Sequence, residues 1–380
     1  MPSTPCIDKD RQPADTHVPA SDPRRCFGSY AASMALILAG VYFYTVLSPY
    51  YLALYRLSWR PMLGSRTSSF TIDFPLVLWS FAALYALLLP LYYALRPGRW
   101  SNAWTLGSYL WRHAKSCATK QPRQPASATE KQAMLCLLLK FLFIPFCLHG
   151  LFAYLAFIND RLIDMPANYA WQNLLALYND HLHVLILNVL FLIDFLPFVI
   201  GYLVQARALD NEVVSVDASV GGWAACLACY PPFNGAMALL LPWQIVEQAP
   251  VTTGPYAAAH LLVNGMLLLF FACYAWSSVS LGFKCSNLMH RGIVQRGLYR
   301  KIRHPAYLFK NLAWWTGALP MLIGLAQTSA RAFFWSLFCM AGWSGIYLLR
   351  ALCEERHLAH HADYRAYMDQ VRYRFLPGVL

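Results

Sequence analysis

Charge is what this chain has least of. Only 13% of its 380 residues are charged, about half the share of an ordinary soluble domain, while 58% are hydrophobic and the mean hydropathy is +0.40. So few charges point away from a water-soluble domain and toward lipid. Acidic residues are scarcer still, 18 against 30 lysines and arginines, for a net charge of +12. An excess of that size would suit nucleic acid as a partner. The basic residues instead gather in a few loops between apolar runs, a distribution that follows membrane topology, so no nucleic acid is expected. A disulfide framework is also missing. The eleven cysteines are scattered, and most (Cys136, Cys147, Cys226, Cys229, Cys273, Cys339) sit inside apolar runs as reduced, packed thiols. Cys226-x-x-Cys229 has apolar neighbours and no second such pair, so packing outweighs metal or redox chemistry and no metal is expected. No internal repeat is found, which weakens a transporter built from duplicated halves. Finally, Met1 to Arg25 has no apolar block. About twenty-five polar residues ahead of the first hydrophobic run exclude a signal peptide and predict a disordered cytoplasmic tail over 1–28.

Long apolar runs are what the chain has in their place. Stretches able to cross about 30 Å of hydrocarbon recur near 30–52, 74–95, 134–158, 184–206, 220–242, 257–281, 307–326 and 331–351. The predicted fold class is therefore an all-α polytopic membrane protein with about eight transmembrane helices. Tyr230-Pro231-Pro232-Phe233-Asn234 interrupts the fifth run, and two prolines there predict either a kinked helix or a re-entrant pair.

Charge asymmetry orients these spans. Loop 96–132 holds Arg96, Arg99, Arg112, Lys115, Lys120, Arg123 and Lys131; loop 283–306 holds Lys284, Arg291, Arg296, Arg300, Lys301 and Arg303. The tail adds Arg356, Arg365, Arg372 and Arg374, whereas loops 159–183 and 243–256 hold only Arg161 between them. With eight spans the rich loops all lie on the cytoplasmic side, as do both termini. Loop 53–73, with Arg56, Arg60 and Arg66, is the exception.

Trp104, Leu106, Tyr109, Leu110 and His113 recur at roughly helical spacing, and so do Trp171, Leu174, Leu175 and Tyr178. Each set reads as an interfacial helix on the bilayer surface or as an ordered loop capping the bundle. Lys140 lies near a span end, from which its ammonium can snorkel to the interface. Asp194 sits in mid-run, which predicts a cavity-facing group or a hydrogen bond to a neighbouring helix.

Polar residues concentrate again in the last quarter. Gly297-x-Tyr299-x-x-x-Arg303-His304-Pro305-x-Tyr307 precedes the seventh run, and Arg350-x-x-x-Glu354-Glu355-x-x-Leu358 follows the eighth. Arg350 and Glu354 are four apart, so they can pair on one helix face. His357-x-x-His360-His361 has the spacing of a histidine box, but a di-iron site needs several such boxes, and His181-x-His183 falls on the opposite side of the membrane.

Together with Tyr364-x-x-Tyr367 and Val371 up to Pro377, these two clusters resemble the isoprenylcysteine carboxyl methyltransferase family, which includes related membrane methyltransferases acting on phospholipid amines and small thiols. The resemblance covers about 290–380, roughly a quarter of the chain. It implies S-adenosylmethionine as cofactor and a site built from the cytoplasmic loop and tail, dividing the chain into the tail 1–28, a six-span scaffold 29–282 and a catalytic region 283–380. Residue by residue, it implies that Tyr299, Arg303, His304, Pro305, Tyr307 and Glu355 bind the cofactor, and that Arg350 and Glu354 position the acceptor or the cofactor amine. The implied acceptor is lipidic or membrane-accessible: a prenylcysteine carboxylate, a thiol or a lipid head group. Two positions depart from the pattern. Leu298 stands where the family commonly has Pro, and Phe309 where Gly would follow the tyrosine, so the pocket entrance is expected to be remodelled. Sterol reductases, which use NADPH, end in a similar segment, but they carry Arg-Asp where this chain has Glu354-Glu355. A non-catalytic scaffold or transporter, with a cavity around Asp194, is the third class.

Overall fold

A computed structural model of the chain describes residues 22–59, 70–96, 100–165, 174–242 and 257–378. These fall into two units, one drawn from Met1–Leu52 and Pro75–Met134, the other from Ala53–Phe74 and Leu135–Leu380. In chain order the helices are α1 (Pro23–Tyr42, continuing in wider turns through Leu47), α2 (Pro49–Leu54), α3 (Phe74–Ala94), α4 (Asn102–Ala118), α5 (Ala128–Ile163), α6 (Leu174–Leu177) and α7 (His183–Leu203). Then come α8 (Val220–Leu227), α9 (Phe233–Leu240), α10 (Ala257–Leu281), α11 (Pro305–Thr328), α12 (Ala330–Leu358) and α13 (Ala362–Gln370). Two short antiparallel ribbons complete the described residues. β1 (Leu57–Trp59) pairs with β2 (Phe70–Ile72), and β3 (Ser215–Val216) pairs with β4 (Met289–His290) in the register Ser215 to His290.

Six helices among the described residues are long and apolar enough to cross a membrane, which makes the chain an all-α polytopic membrane protein. Two of the eight apolar runs are not among these six. The run 220–242 folds as α8 and α9, each eight residues long. At 1.5 Å per residue each reaches only about 12 Å, so Pro231 and Pro232 yield a broken pair of short helices where one continuous helix would otherwise run. The run 307–326 forms α11, 24 residues long, but Lys310 and a polar first half hold it below the hydropathy of the six. The predicted tail 1–28 lies outside the described residues up to 21. Its end is helical, because Asp22 caps Arg24 N–H and Pro23 starts α1 at a position where its missing N–H costs nothing.

In the first unit, α4 forms where the tryptophan-bearing spacing predicted a helix. Ser101 caps it by accepting from Trp104 N–H at 3.0 Å, and Ser101 N–H donates to Ser29 Oγ of α1 at 3.2 Å. The Trp100 and Trp104 rings stack 4.6 Å apart, with the Arg25 guanidinium over Trp100. Trp171 of the second predicted helix lies outside the described residues; Leu174 and Leu175 belong to α6, and Tyr178 opens the wider turns Tyr178–Leu182.

The second unit is built on α7, α10, α11 and α12. Leu187, Leu267, Phe271 and Ala313 form the apolar seam joining α7, α10 and α11, and Ala318, Leu322 and Met340 join α11 to α12. Inside the helical layer Asp194 is buried and accepts a hydrogen bond from Ser278 of α10, the neighbour-helix bond that its mid-run position predicted. A one-residue turn separates α11 from α12. Ser329 ends the first helix and caps the second by accepting from Ala332 N–H at 3.3 Å. At 1.5 Å per residue, the 29-residue α12 is about 44 Å long, more than a bilayer core requires. Its last turns therefore carry Arg350 to Leu358 beyond the apolar seam, beside the loop that starts α11.

Candidate functional site

The loop before α11 is shaped by Gly297. Its φ is +59°, a left-handed conformation, and a Cβ there would lie 2.3 Å from Ser280 Oγ, so only glycine fits. The turn Gly297–Arg300 follows and sends the Tyr299 side chain into the core, where its carbonyl accepts from Tyr367 Oη at 2.8 Å. Pro305 then occupies the first position of α11.

One carboxylate gathers this loop, the end of α12 and the C-terminal segment. Glu355 accepts from Arg303 Nε at 2.8 Å, His304 Nε2 at 3.0 Å and Arg374 Nη2 at 2.7 Å. Arg303 Nη1 also donates to the carbonyls of Val371 and Arg372, while the Arg303 and His304 amides donate to the carbonyls of Tyr373 and Arg374. The bond to Glu355 holds the Arg374 guanidinium above its ordinary pKa. Glu355 is buried, and each of its oxygens is taken by a charge-assisted bond.

Glu354, the adjacent residue, projects about 100° around the helix. Its Oε2 accepts from Tyr307 Oη at 2.9 Å, and 43% of its side chain is exposed. The Tyr307 ring stacks on His304, with planes 7° apart. Arg350 lies one turn earlier on α12. It is buried, and instead of pairing with Glu354 it donates from Nη2 to Asn287 Oδ1 at 3.0 Å. Three tyrosine rings face its guanidinium, those of Tyr307 and Tyr347 at 5.1 Å and that of Tyr230 at 5.5 Å. Tyr230 comes from the proline-broken segment, and Asn287 is fixed by the Tyr202 hydroxyl, which accepts its N–H at 2.8 Å. An aromatic wall of this kind keeps a guanidinium inside the protein through cation–π attraction, at a geometry a lysine does not reproduce.

Tyr307, Glu354, Arg350 and Asn287 line a cleft between α8, α12 and the loop at 286–289, with Asp217, Gly222, Cys226, Met289, Cys353 and His357 among the other wall residues. Its cavity volume is about 40 Å³, within about 450 Å³ of empty space that includes the open mouth. Sites for drug-sized ligands run to roughly 300–1,000 Å³, so such a ligand fills the mouth as well and requires the walls to part. Of the eight residues expected in the site, Tyr307, Arg350 and Glu354 reach the cleft. Arg303, His304 and Glu355 spend their polar atoms on the clamp behind it, and Tyr299 and Pro305 are packed in the core.

A histidine cluster stands beside the cleft. His290, His361 and Asp363 each bring one ligand atom within 4.8 Å of the others. The existing bonds argue against a metal there. Gly292 N–H donates to His290 Nδ1 at 3.2 Å, which keeps the ring proton on Nε2, the atom 3.6 Å from Asp363 Oδ2. Ser215 Oγ bonds Nε2 of both His357 and His361, at 3.1 and 2.8 Å. Burial, and then the nearby His361, push the His290 imidazole down to about 4. Its ordinary value is about 6.5, so the unfolded chain takes up a proton that the folded chain refuses. Stability is therefore complete above about pH 6.5 and is lost as the pH falls from there toward 4. Melting curves between pH 7.5 and 4 should show this loss in the wild type and a flatter profile in His290→Gln; parallel profiles would contradict it.

Residues 236–371 match a protein family of unknown function, DUF1295. The match begins in α9 and ends at Val371, so it takes in Asn287, the loop before α11, α12 and α13. Asp217, Tyr230 and Arg374, all in or behind the cleft, lie beyond it. No curated protein and no solved structure matches the chain.

Four residues of this arrangement carry no signal in the sequence reading: Asp217, Tyr230, Asn287 and Arg374. Asp217 and Asn287 are isolated polar residues in short loops, brought together by the β3–β4 ribbon, whose two strands are about seventy residues apart. Tyr230 sits within the proline break, where the sequence predicts only a kinked helix or a re-entrant pair. Arg374 was counted as a cytoplasmic charge; its approach to Glu355 depends on the chain turning back after α13.

Proposed function

We propose that this chain is an integral-membrane, S-adenosylmethionine-dependent methyltransferase acting on a lipidic or membrane-accessible acceptor. The observation that carries this reading is the meeting of the two halves of the motif. Tyr307 bonds Glu354, His304 and Arg303 bond Glu355, and Arg350 stands with Glu354 in one cleft. The cleft suits the cofactor's groups. Arg350 offers a shielded cation to a carboxylate, the tyrosines offer planar faces, and Leu288, Met289 and Leu358 supply apolar wall. In the finer topology of this reading, α11 and the α8–α9 pair count with the six long helices as eight crossings. The positive-inside rule then puts both termini and the cleft on the cytoplasmic side.

The cofactor supplies an electrophilic methyl group. What the chain supplies is position and a dry, fixed electrostatic setting. The Glu355 clamp fixes the loop before α11 and, with it, Tyr307. Tyr307 orients Glu354 by bonding Oε2, and the partly exposed carboxylate stands in the cleft wall. A thiolate or carboxylate acceptor needs no base. With an amine or hydroxyl acceptor, Glu354 takes the proton as the new bond forms. In this reading a hydrophobic acceptor reaches the cleft laterally from the bilayer.

Membranes containing the chain, incubated with methyl-labelled cofactor and separated into lipid, protein and volatile fractions, test the proposal. Label should enter one fraction, and Glu354→Gln should reduce it at least tenfold for an amine or hydroxyl acceptor, with little change for a thiolate. Label absent from all three, with NADPH consumed on addition of a sterol, would contradict it in favour of a reductase.

A further inference from the structure

Asp217 is a buried carboxylate in the cleft that is left incompletely bonded among the described residues. It is 4% exposed and lies in the turn between β3 and α8. Its backbone is fully used. The amide donates to Leu288 carbonyl at 2.8 Å, and the carbonyl accepts from Trp223 Nε1 at 2.7 Å. Of the side-chain oxygens, Oδ1 accepts from Ser219 N–H at 2.8 Å, while Oδ2 is buried and has no partner. Holding a carboxylate oxygen out of water without a donor is unfavourable, so the site calls for a partner that supplies one. The local chain is shaped to keep that oxygen where it is. A Cβ at position 222 would lie 2.1 Å from Oδ2, so Gly222 is what leaves it room.

The same cleft holds Arg350, whose guanidinium has five donors and one hydrogen bond within the described residues, to Asn287. An acceptor-only group and a donor-only group of opposite charge in one cleft form a receptor for a zwitterion. The amino-acid arm of the cofactor proposed above is one, with an ammonium and a carboxylate on a single carbon. We propose that Asp217 Oδ2 receives the ammonium of this arm and that Arg350 receives its carboxylate. The inference rests on the methyltransferase reading and deepens it. It assigns the arm to a residue outside the two motifs and outside the stretch matched by the family. Glu354 is thereby left to the acceptor.

The test pairs a change in the protein with a change in the ligand. Asp217→Asn keeps an oxygen for Ser219 N–H and converts the Oδ2 position into an N–H donor, which repels an ammonium. Gly222→Ala keeps the carboxylate, but its Cβ would overlap the present position of Oδ2 and displace that oxygen. Binding of S-adenosylhomocysteine and of 5′-methylthioadenosine, which lacks the arm, is measured by calorimetry on the full chain in lipid nanodiscs. Both variants should weaken S-adenosylhomocysteine at least tenfold and leave 5′-methylthioadenosine within twofold of wild type. Wild-type affinity for S-adenosylhomocysteine in Asp217→Asn would overturn the assignment while leaving the methyltransferase reading intact. An equal loss for both ligands would overturn it too, by showing a structural role. Failure of the wild-type chain to bind either ligand would overturn the reading and the assignment together.

Discussion

Glu355→Ala is expected to cost about 3–5 kcal/mol and to loosen the C-terminal region, the usual penalty when one partner of a buried ion pair is removed. The loss is large because three cationic or polar groups share this carboxylate. Arg303, His304 and Arg374 would be left facing each other without their shared carboxylate, two of them as like charges. Glu355→Gln keeps one acceptor oxygen but introduces a donor against Arg374, so it should fall between alanine and wild type. Glu354→Ala is the internal comparison. Its side chain is 43% exposed and holds one bond, to Tyr307, so it should cost no more than about 1 kcal/mol. Thermal melting in nanodiscs, followed by tryptophan fluorescence, checks the order. If Glu355→Ala melts with the wild type, the clamp does not hold the loop.

Arg350→Ala is expected to abolish most cofactor affinity. Each hydrogen bond between charged groups contributes roughly 1.5–3 kcal/mol, and each 1.4 kcal/mol is tenfold in affinity, so two bonds to a carboxylate correspond to a loss of about a hundredfold or more. Arg350→Lys keeps the charge but loses the planar fork and the fit against Tyr307, Tyr347 and Tyr230, so it should recover only part of that. Calorimetric titration of the three proteins with S-adenosylhomocysteine reads the effect. An unchanged affinity in Arg350→Ala would remove Arg350 from the site.

The spans, the hairpin and the two polar clusters were legible because each is written locally. Hydrophobic length marks a helix that crosses lipid, Pro305 marks the start of α11, and the i, i+4 relation puts Arg350 and Glu354 on one side of α12. The partners of those residues were not legible. Helical spacing lets Arg350 pair with Glu354, but Asn287 lies closer to its guanidinium once the β3–β4 ribbon brings the loop at 286–289 against α8 and α12. Nothing local distinguishes Glu354 from Glu355. The 100° step between them turns one toward the clamp and the other toward the cleft, and only tertiary packing says which is which. The proline break predicts a kinked helix or a re-entrant pair and no more, for the same reason: its use, supplying Tyr230 to the Arg350 cage, appears only in three dimensions.

The central claim, that the cleft beneath the two motifs is a cofactor site for methyl transfer, is tested most directly by binding. Purified chain in nanodiscs, titrated calorimetrically with S-adenosylhomocysteine and separately with NADPH, should bind the first with one-to-one stoichiometry and show no heat with the second. Tight NADPH binding with no response to S-adenosylhomocysteine would contradict the account.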